Sequence, residues 1–187
     1  MTTKIFVTVG TDHHPFARLV DWVDAWAEGR QDIDLLVQHG PAPASRVGRN
    51  RPFLGADELQ HAYRSSDLVV AQVGPGSIAD ANGAGIVPIV VPRDPALGEV
   101  VDDHQFDFGA FMAAKGRAAV VTTREALHER LELALTRPEQ HRLSVVPDPR
   151  GAASEVAALA QRLVAGPPAR LSVRRVLAML RSAGGVT

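Results

Sequence analysis

Three short segments carry the residues best suited to chemistry, and each follows a run that reads as a β-strand. The first is Gly10-Thr11-Asp12-His13-His14-Pro15. Gly10 lets backbone approach a ligand, and Thr11 offers a hydroxyl and an N–H to a phosphate oxygen. The same residues also make a tight turn with an Asp cap. His14 is the local candidate for a general base, since a neutral imidazole takes up a proton near pH 7; contact with phosphate or a capping role stay open for it. Asp12, His13 and His14, with Asp102, Asp103 and His104, are metal-ligating types. Three adjacent ligands do not face one ion without an unusual backbone, so no metal is expected.

The second segment, Val73-Gly74-Pro75-Gly76-Ser77, leads from an apolar run directly into a helical pattern. Free N–H groups and the positive end of a helix dipole favour a diphosphate there, and Gly74 and Gly76 remove side chains that would block it. Asp80 follows Ser77 by three residues. That spacing reads either as a capping box or as a carboxylate able to accept two hydrogen bonds from a ribose diol. The third segment runs from Val91-Pro92-Arg93-Asp94-Pro95 through Gly98-Glu99 to Asp102-Asp103-His104-Gln105. It is either a solvated acidic loop ending in a helix cap at Asp102 or Asp103, or a set of polar groups for sugar hydroxyls. A closed sugar site needs such density, because each unpaired hydroxyl costs affinity.

These loops must be held by regular elements, and the chain alternates short apolar runs with helical patterns, the signature of βα units around a parallel sheet. Strands are predicted at 5–9, 33–37, 52–54, 67–72, 87–91 and 118–122. Helices are predicted at 16–27, 57–65 with Asp57 as cap, 77–84, 104–115 and 123–136. Leu68-Val69-Val70 and Ile89-Val90-Val91 are continuously apolar and need cover on both faces, so the sheet is expected to be doubly wound and Rossmann-like. Ligands of such folds bind beyond the carboxyl ends of the strands, where the three loops lie.

The whole-chain figures limit the alternatives. With 187 residues, 45% hydrophobic and 22% charged, the composition is that of a globular domain and not of a disordered chain. The absence of Cys excludes a disulfide framework, a thiolate zinc site and a cysteine nucleophile. A net charge of -1 argues against nucleic acid as a partner. No apolar run reaches the roughly 18 residues of a membrane span, and no signal-peptide profile precedes Lys4, so a cytoplasmic protein is expected. The near-neutral sum hides an imbalance: residues 1–150 hold 15 Lys/Arg against 20 Asp/Glu, and residues 151–187 hold five Arg against Glu155 alone. Within that tail, Pro167-Pro168 marks a hinge. It separates a domain at 1–166 from a basic amphipathic helix at 167–187, in which Val173, Val176, Leu177 and Leu180 form a stripe. The helix would pack on its own domain, dock on a partner, or lie peripherally on anionic lipid.

In order and spacing, Phe6-Val7-Thr8-Val9-Gly10-Thr11 with Pro15-Phe16 and Arg18-Leu19-Val20, then Gly74-x-Gly76-Ser77-Ile78, then Val90-Val91-Pro92-Arg93 with Gly98-Glu99 and Val101-Asp102-Asp103-His104-Gln105, resemble the C-terminal domain of glycosyltransferase family 28. The likeness is strongest to its single-domain members. These are the catalytic subunit of the eukaryotic enzyme adding the second N-acetylglucosamine to dolichol-diphosphate, and similar bacterial exopolysaccharide subunits. The resemblance implies the donor-binding half of a GT-B enzyme, an inverting UDP-sugar transferase acting on a lipid-linked or polysaccharide-precursor acceptor. Gly10, Thr11, Gly74, Gly76 and Ser77 would meet the diphosphate. Asp80, Arg93, Glu99, His104 and Gln105 would meet ribose or sugar, and Arg93 would also stabilise the departing UDP. No cofactor is implied, the UDP-sugar being substrate. A membrane-anchored partner subunit is implied, which would supply the acceptor face and hold the chain at the inner face of the membrane. Two departures stand out: Gln72 stands where the family often has His, and Asp80 where it usually has Glu. The rival from another class is a non-catalytic subunit that enhances or anchors a partner transferase. A general nucleotide-binding module is disfavoured by the absence of Gly-x-Gly-x-x-Gly and of a Gly-Lys-Ser/Thr phosphate loop.

Overall fold

Side-chain alternation along the first strand already divides the molecule into two layers. In the computed structural model, which describes residues 2–146, strand β1 (Thr3–Thr8) sends Ile5 and Val7 to one face of a sheet and Phe6 to the other, all three buried. Helix α1 (Ala17–Ala27) covers the first face with Leu19, Val20, Val23 and Trp26, which recur at helical spacing. It is joined there by α5 (Arg124–Thr136), whose Leu127, Leu131 and Ala134 recur at helical spacing. The second face is covered by α2 (Ala56–Ser65), α3 (Pro75–Gly83) and α4 (His104–Ala114). Tyr63 of α2 meets the Phe6 ring edge-on at 5.2 Å.

The remaining strands are β2 (Ile33–Gln38), β3 (Arg49–Arg51), β4 (Leu68–Gln72), β5 (Ile89–Val91) and β6 (Ala119–Val120). All pair in parallel, in the order β3-β2-β1-β4-β5-β6. The expected doubly wound sheet is therefore the one observed. Its order reverses between β1 and β4, so the chain leaving β1 enters α1 on one face and the chain leaving β4 enters α3 on the other. Diverging exits open a crevice at the carboxyl edge, the usual ligand position of this topology. Register brings Thr8, Gln38 and Ala71 level there, with Val91 level with Gln72.

Local expectations failed where side chains of distant elements decide. The strand expected at 52–54 lies at Arg49–Arg51, an edge strand bonded to β2 through backbone while Arg49 pairs outward with Asp34 at 3.0 Å. Two arginines around an Asn carry no strand pattern. Helix α2 is capped not by Asp57 but at Gly55, whose N–H donates to Glu58 Oε2 at 3.1 Å. Helix α3 starts at Pro75, with Gly74 as its N-cap residue. Ser77 is therefore inside the first turn, and Asp80 accepts from Gln60 Nε2 at 2.9 Å, so the Ser77/Asp80 pair is not a capping box. Among the described residues no helix is long and apolar enough to cross a membrane. The hinge at 166–168 and the helix expected at 167–187 lie outside the described residues.

Candidate functional site

Arg93, just after β5, is the most completely enclosed charge of the carboxyl edge, with no solvent-exposed surface. Its Nε donates to Gln72 Oε1, one Nη1 N–H to the carbonyl of His14 and the other to that of Glu99, and Nη2 to the carbonyl of Val9, each at 2.8 Å. The guanidinium also lies 4.7 Å from the centre of the Phe16 ring. One side chain thus ties together the loops after β1, β4 and β5. Burial pulls its pKa down, while the carboxylates of Asp12 and Glu99 oppose that shift. A direct contact with a sugar or a leaving group, the role expected from sequence, does not fit a guanidinium turned inward onto three carbonyls and an amide.

Glu99 is likewise a tie. Its two oxygens accept from Arg18 Nε at 2.8 Å and Nη2 at 2.6 Å, and one also accepts the Asp94 N–H at 2.9 Å. Gln105 accepts the Arg93 N–H at 3.0 Å and lies 3.4 Å from Gln72 Oε1. Arg93, Glu99 and Gln105 therefore form a frame behind the edge, joined by Gln72 and Arg18, two residues of the quoted motifs to which the sequence assigned no role. Their partners are up to 84 residues away.

In front of the frame, Gly10, Thr11, Gly74, Gly76, Ser77 and Asp80 line one cavity of about 280 Å³ together with Gln38, Tyr63 and Gln72. It sits at the reversal between β1 and β4. The first helical bond of α3 runs from the Ile78 N–H to the Gly74 carbonyl at 3.0 Å, so the N–H groups of Gly76 and Ser77 precede the ladder and are free of it. The Tyr63 phenol is pushed up to about 12, chiefly by burial, with Asp80 adding to the rise and the neighbouring Ser77 side chain opposing it. Gln38, almost fully buried, accepts from the Thr8 hydroxyl and donates to the Gly10 carbonyl at 3.3 Å, fixing the turn that enters the cavity. A Gln following the apolar run Leu35-Leu36-Val37 was its only sequence signal.

The glycines divide into two kinds. A Cβ on Gly10, where φ is +78°, would lie 2.1 Å from Gln72 Nε2, and one on Gly74 would lie 2.9 Å from the same atom. Both make room for Gln72 and not directly for a ligand. A Cβ on Gly76 would meet nothing within 4 Å. Gly10→Ala is therefore expected to cost about 2–3 kcal/mol from left-handed strain and displacement of Gln72. Gly76→Ala is expected to leave stability unchanged or raise it by under about 1 kcal/mol. Urea unfolding of the two variants checks this, and equal losses would contradict it.

His14 and His104, expected at the site from sequence, are not among the residues lining this cavity and lie on the segments after β1 and β5. His14 sits in an Asx turn: Asp12 Oδ1 accepts its backbone N–H at 2.8 Å and contacts its Nδ1 at 2.7 Å. The backbone N–H of His14 is the main cause that holds the Asp12 carboxyl below its ordinary pKa. One ligand atom from each of Asp12, His13 and His14 does fall within 4.8 Å of the others, a convergence the sequence reading did not expect. Asp12 Oδ1 is already engaged by His14, however, so the cluster as it stands is a hydrogen-bonded pair with the His13 ring tilted beside it, centroids 3.9 Å apart. His104, at the start of α4, contacts Asp102 Oδ1 at 2.7 Å through Nδ1 and is largely exposed. Asp102 raises its pKa, and His104 lowers that of Asp102.

Comparison with known proteins gives the family and the fold. The family model described as the glycosyltransferase family 28 C-terminal domain matches residues 4–163. A UDP-N-acetylglucosamine--N-acetylmuramyl-(pentapeptide) pyrophosphoryl-undecaprenol N-acetylglucosamine transferase from Burkholderia thailandensis is 32% identical over 106 residues, covering 55% of this chain and 27% of that protein. The protein of the same name from Cupriavidus necator is 31% identical over 114 residues, covering 59% and 30%. The chain thus spans less than a third of the length of these curated relatives. Among solved structures, MurG of Acinetobacter baumannii superposes with a TM-score of 0.56 at 21% identity, over 75% of this chain and 43% of that one. The solution structure of ALG13 superposes with a TM-score of 0.52 at 17% identity, over 82% of this chain and 94% of that one.

Proposed function

The chain belongs to the glycosyltransferase family 28 C-terminal domain family, and from that premise we propose that it is the donor-binding half of an inverting UDP-sugar transferase. The observation that carries this reading is the cavity at the strand-order reversal, where the Gly76 and Ser77 N–H groups open beside Thr11. Helix-terminal N–H groups and the dipole of α3 suit a diphosphate, and Asp80 at the far side of the same cavity suits a ribose diol. The acceptor is proposed to be a lipid-linked or polysaccharide-precursor hydroxyl, in keeping with the pyrophosphoryl-undecaprenol acceptor named for the relatives.

In the proposed reaction the acceptor oxygen attacks the anomeric carbon from the face opposite UDP. As the bond from that carbon to the β-phosphate oxygen breaks, its electron pair leaves with UDP and negative charge grows on the diphosphate. The start of α3 and the Thr11 hydroxyl would stabilise that charge. Arg93 acts behind them by holding the loops in place. No cofactor enters this reading, and a bound metal is not required. A second, membrane-anchored subunit would supply the acceptor face and keep the chain at the cytoplasmic side of the membrane. His14 is the proposed base of this half.

Transfer of labelled sugar from a panel of UDP-sugars to membrane lipid, with the chain and its partner subunit supplied separately and together, tests the reading. Transfer is expected only when both are present and is expected to fall at least tenfold, about 1.4 kcal/mol, in His14→Ala. Full transfer by the partner alone would instead make this chain an enhancer or anchor.

A further inference from the structure

We propose that Asp12 is a positioning residue that fixes which nitrogen of His14 is free to take up the acceptor's proton. The inference rests on the transferase reading given above, and its geometry stands on the loop after β1.

A neutral imidazole carries one proton, and the group facing one ring nitrogen decides where that proton sits. Here the Asp12 carboxylate lies 2.7 Å from Nδ1 of His14, and a carboxylate oxygen only accepts. The proton is therefore held on Nδ1 and the lone pair is left on Nε2. Two further restraints keep the ring from turning away. The His14 backbone N–H donates to the same Asp12 oxygen at 2.8 Å, and the His14 carbonyl accepts from the buried Arg93 at 2.8 Å. The residue is thus anchored by its N–H, its C=O and its ring at once. The ring is only partly exposed and lies against the tilted His13 ring, with centroids 3.9 Å apart. The charged and titratable groups facing it are Asp12, His13 and, across its carbonyl, Arg93.

The consequence for the reaction is a balanced proton path. As the acceptor oxygen bonds to the anomeric carbon, its proton passes to Nε2 of His14, and the bond to the β-phosphate oxygen breaks with its electron pair on UDP. The imidazolium so formed lies beside the Asp12 carboxylate, which offsets its charge without itself taking the proton. The Asp102–His104 pair has the same spacing in sequence and the same 2.7 Å contact, yet its ring is 85% exposed and it does not bond to Arg93. Only the pair on the β1 loop is built into the frame.

Nitrogen-detected spectra of the full chain with labelled histidine, at a pH where the ring is neutral, read the tautomer directly. The His14 signal, assigned by its loss in His14→Gln, is expected as the Nδ1–H form in the wild type. In Asp12→Ala it is expected to shift toward the Nε2–H form that free imidazole prefers, and Asp12→Glu is expected to restore part of the Nδ1–H population. Because Arg93 still holds the loop, thermal unfolding of Asp12→Ala should stay close to wild type. In the transfer assay, Asp12→Ala is expected to lower kcat on the order of 10- to 100-fold with KM little changed, since the lone pair is no longer held on Nε2. A wild-type His14 in the Nε2–H form, or a tautomer indifferent to Asp12→Ala, overturns the inference. UDP binding without the tautomer switch refutes only the role of Asp12, whereas the switch without UDP binding refutes the transferase reading, so the two failures are told apart.

Discussion

Ser77→Arg is expected to abolish UDP binding while leaving the fold intact. Ser77 is in the first turn of α3 and lines the cavity at the reversal between β1 and β4. An arginine there places a long side chain in the space a diphosphate would take, and sets a positive charge at the positive end of a helix dipole, a mismatch worth about 0.3–1 kcal/mol. The stability cost is small, because the new side chain can extend through the open mouth of the cavity toward solvent. The ligand has no such freedom. A loss of at least about 100-fold in UDP affinity, roughly 2.7 kcal/mol, should appear by calorimetry with little change in thermal unfolding. Unchanged affinity would place the diphosphate elsewhere.

Arg93→Ala is expected to have the largest effect on stability and to act on the whole carboxyl edge. Removing the guanidinium leaves the carbonyls of Val9, His14 and Glu99 and the Gln72 amide oxygen without their donor. Truncating one member of a buried, hydrogen-bonded charge network costs about 3–5 kcal/mol. Arg93→Lys should recover only part of that, since one compact ammonium cannot reach acceptors on three loops in the way a planar fork does. Urea unfolding measures both. A loss below about 1 kcal/mol in Arg93→Ala, accompanied by a large drop in transfer, would return Arg93 to direct contact with substrate.

The contrast between these two residues shows what could be seen in the chain beforehand. The apolar runs Leu68-Val69-Val70 and Ile89-Val90-Val91 disclosed a sheet covered on both faces, because a buried parallel strand has no polar side to hide. The turn Gly74-Pro75-Gly76-Ser77 disclosed a helix start facing open space, because its cause is local. Edge strand β3 was misplaced since Arg49 and Arg51 enter the sheet through backbone alone. Gly10 and Gly74 were legible as glycines that must be glycines, but their reason, the Gln72 amide, comes from another strand or from the folded turn. Arg93 was visible as a charge near the site and was given the wrong direction to face. Its partners lie 79 and 84 residues back in the chain, a distance over which spacing carries no information.

Calorimetric titration of the chain with UDP tests the central claim most directly. The account predicts saturable, near one-to-one binding that is lost in Ser77→Arg, is retained in His14→Ala, and strengthens for the UDP-sugar that is the true donor. Absence of UDP binding by the folded wild-type chain, or binding of equal strength in Ser77→Arg, would contradict it.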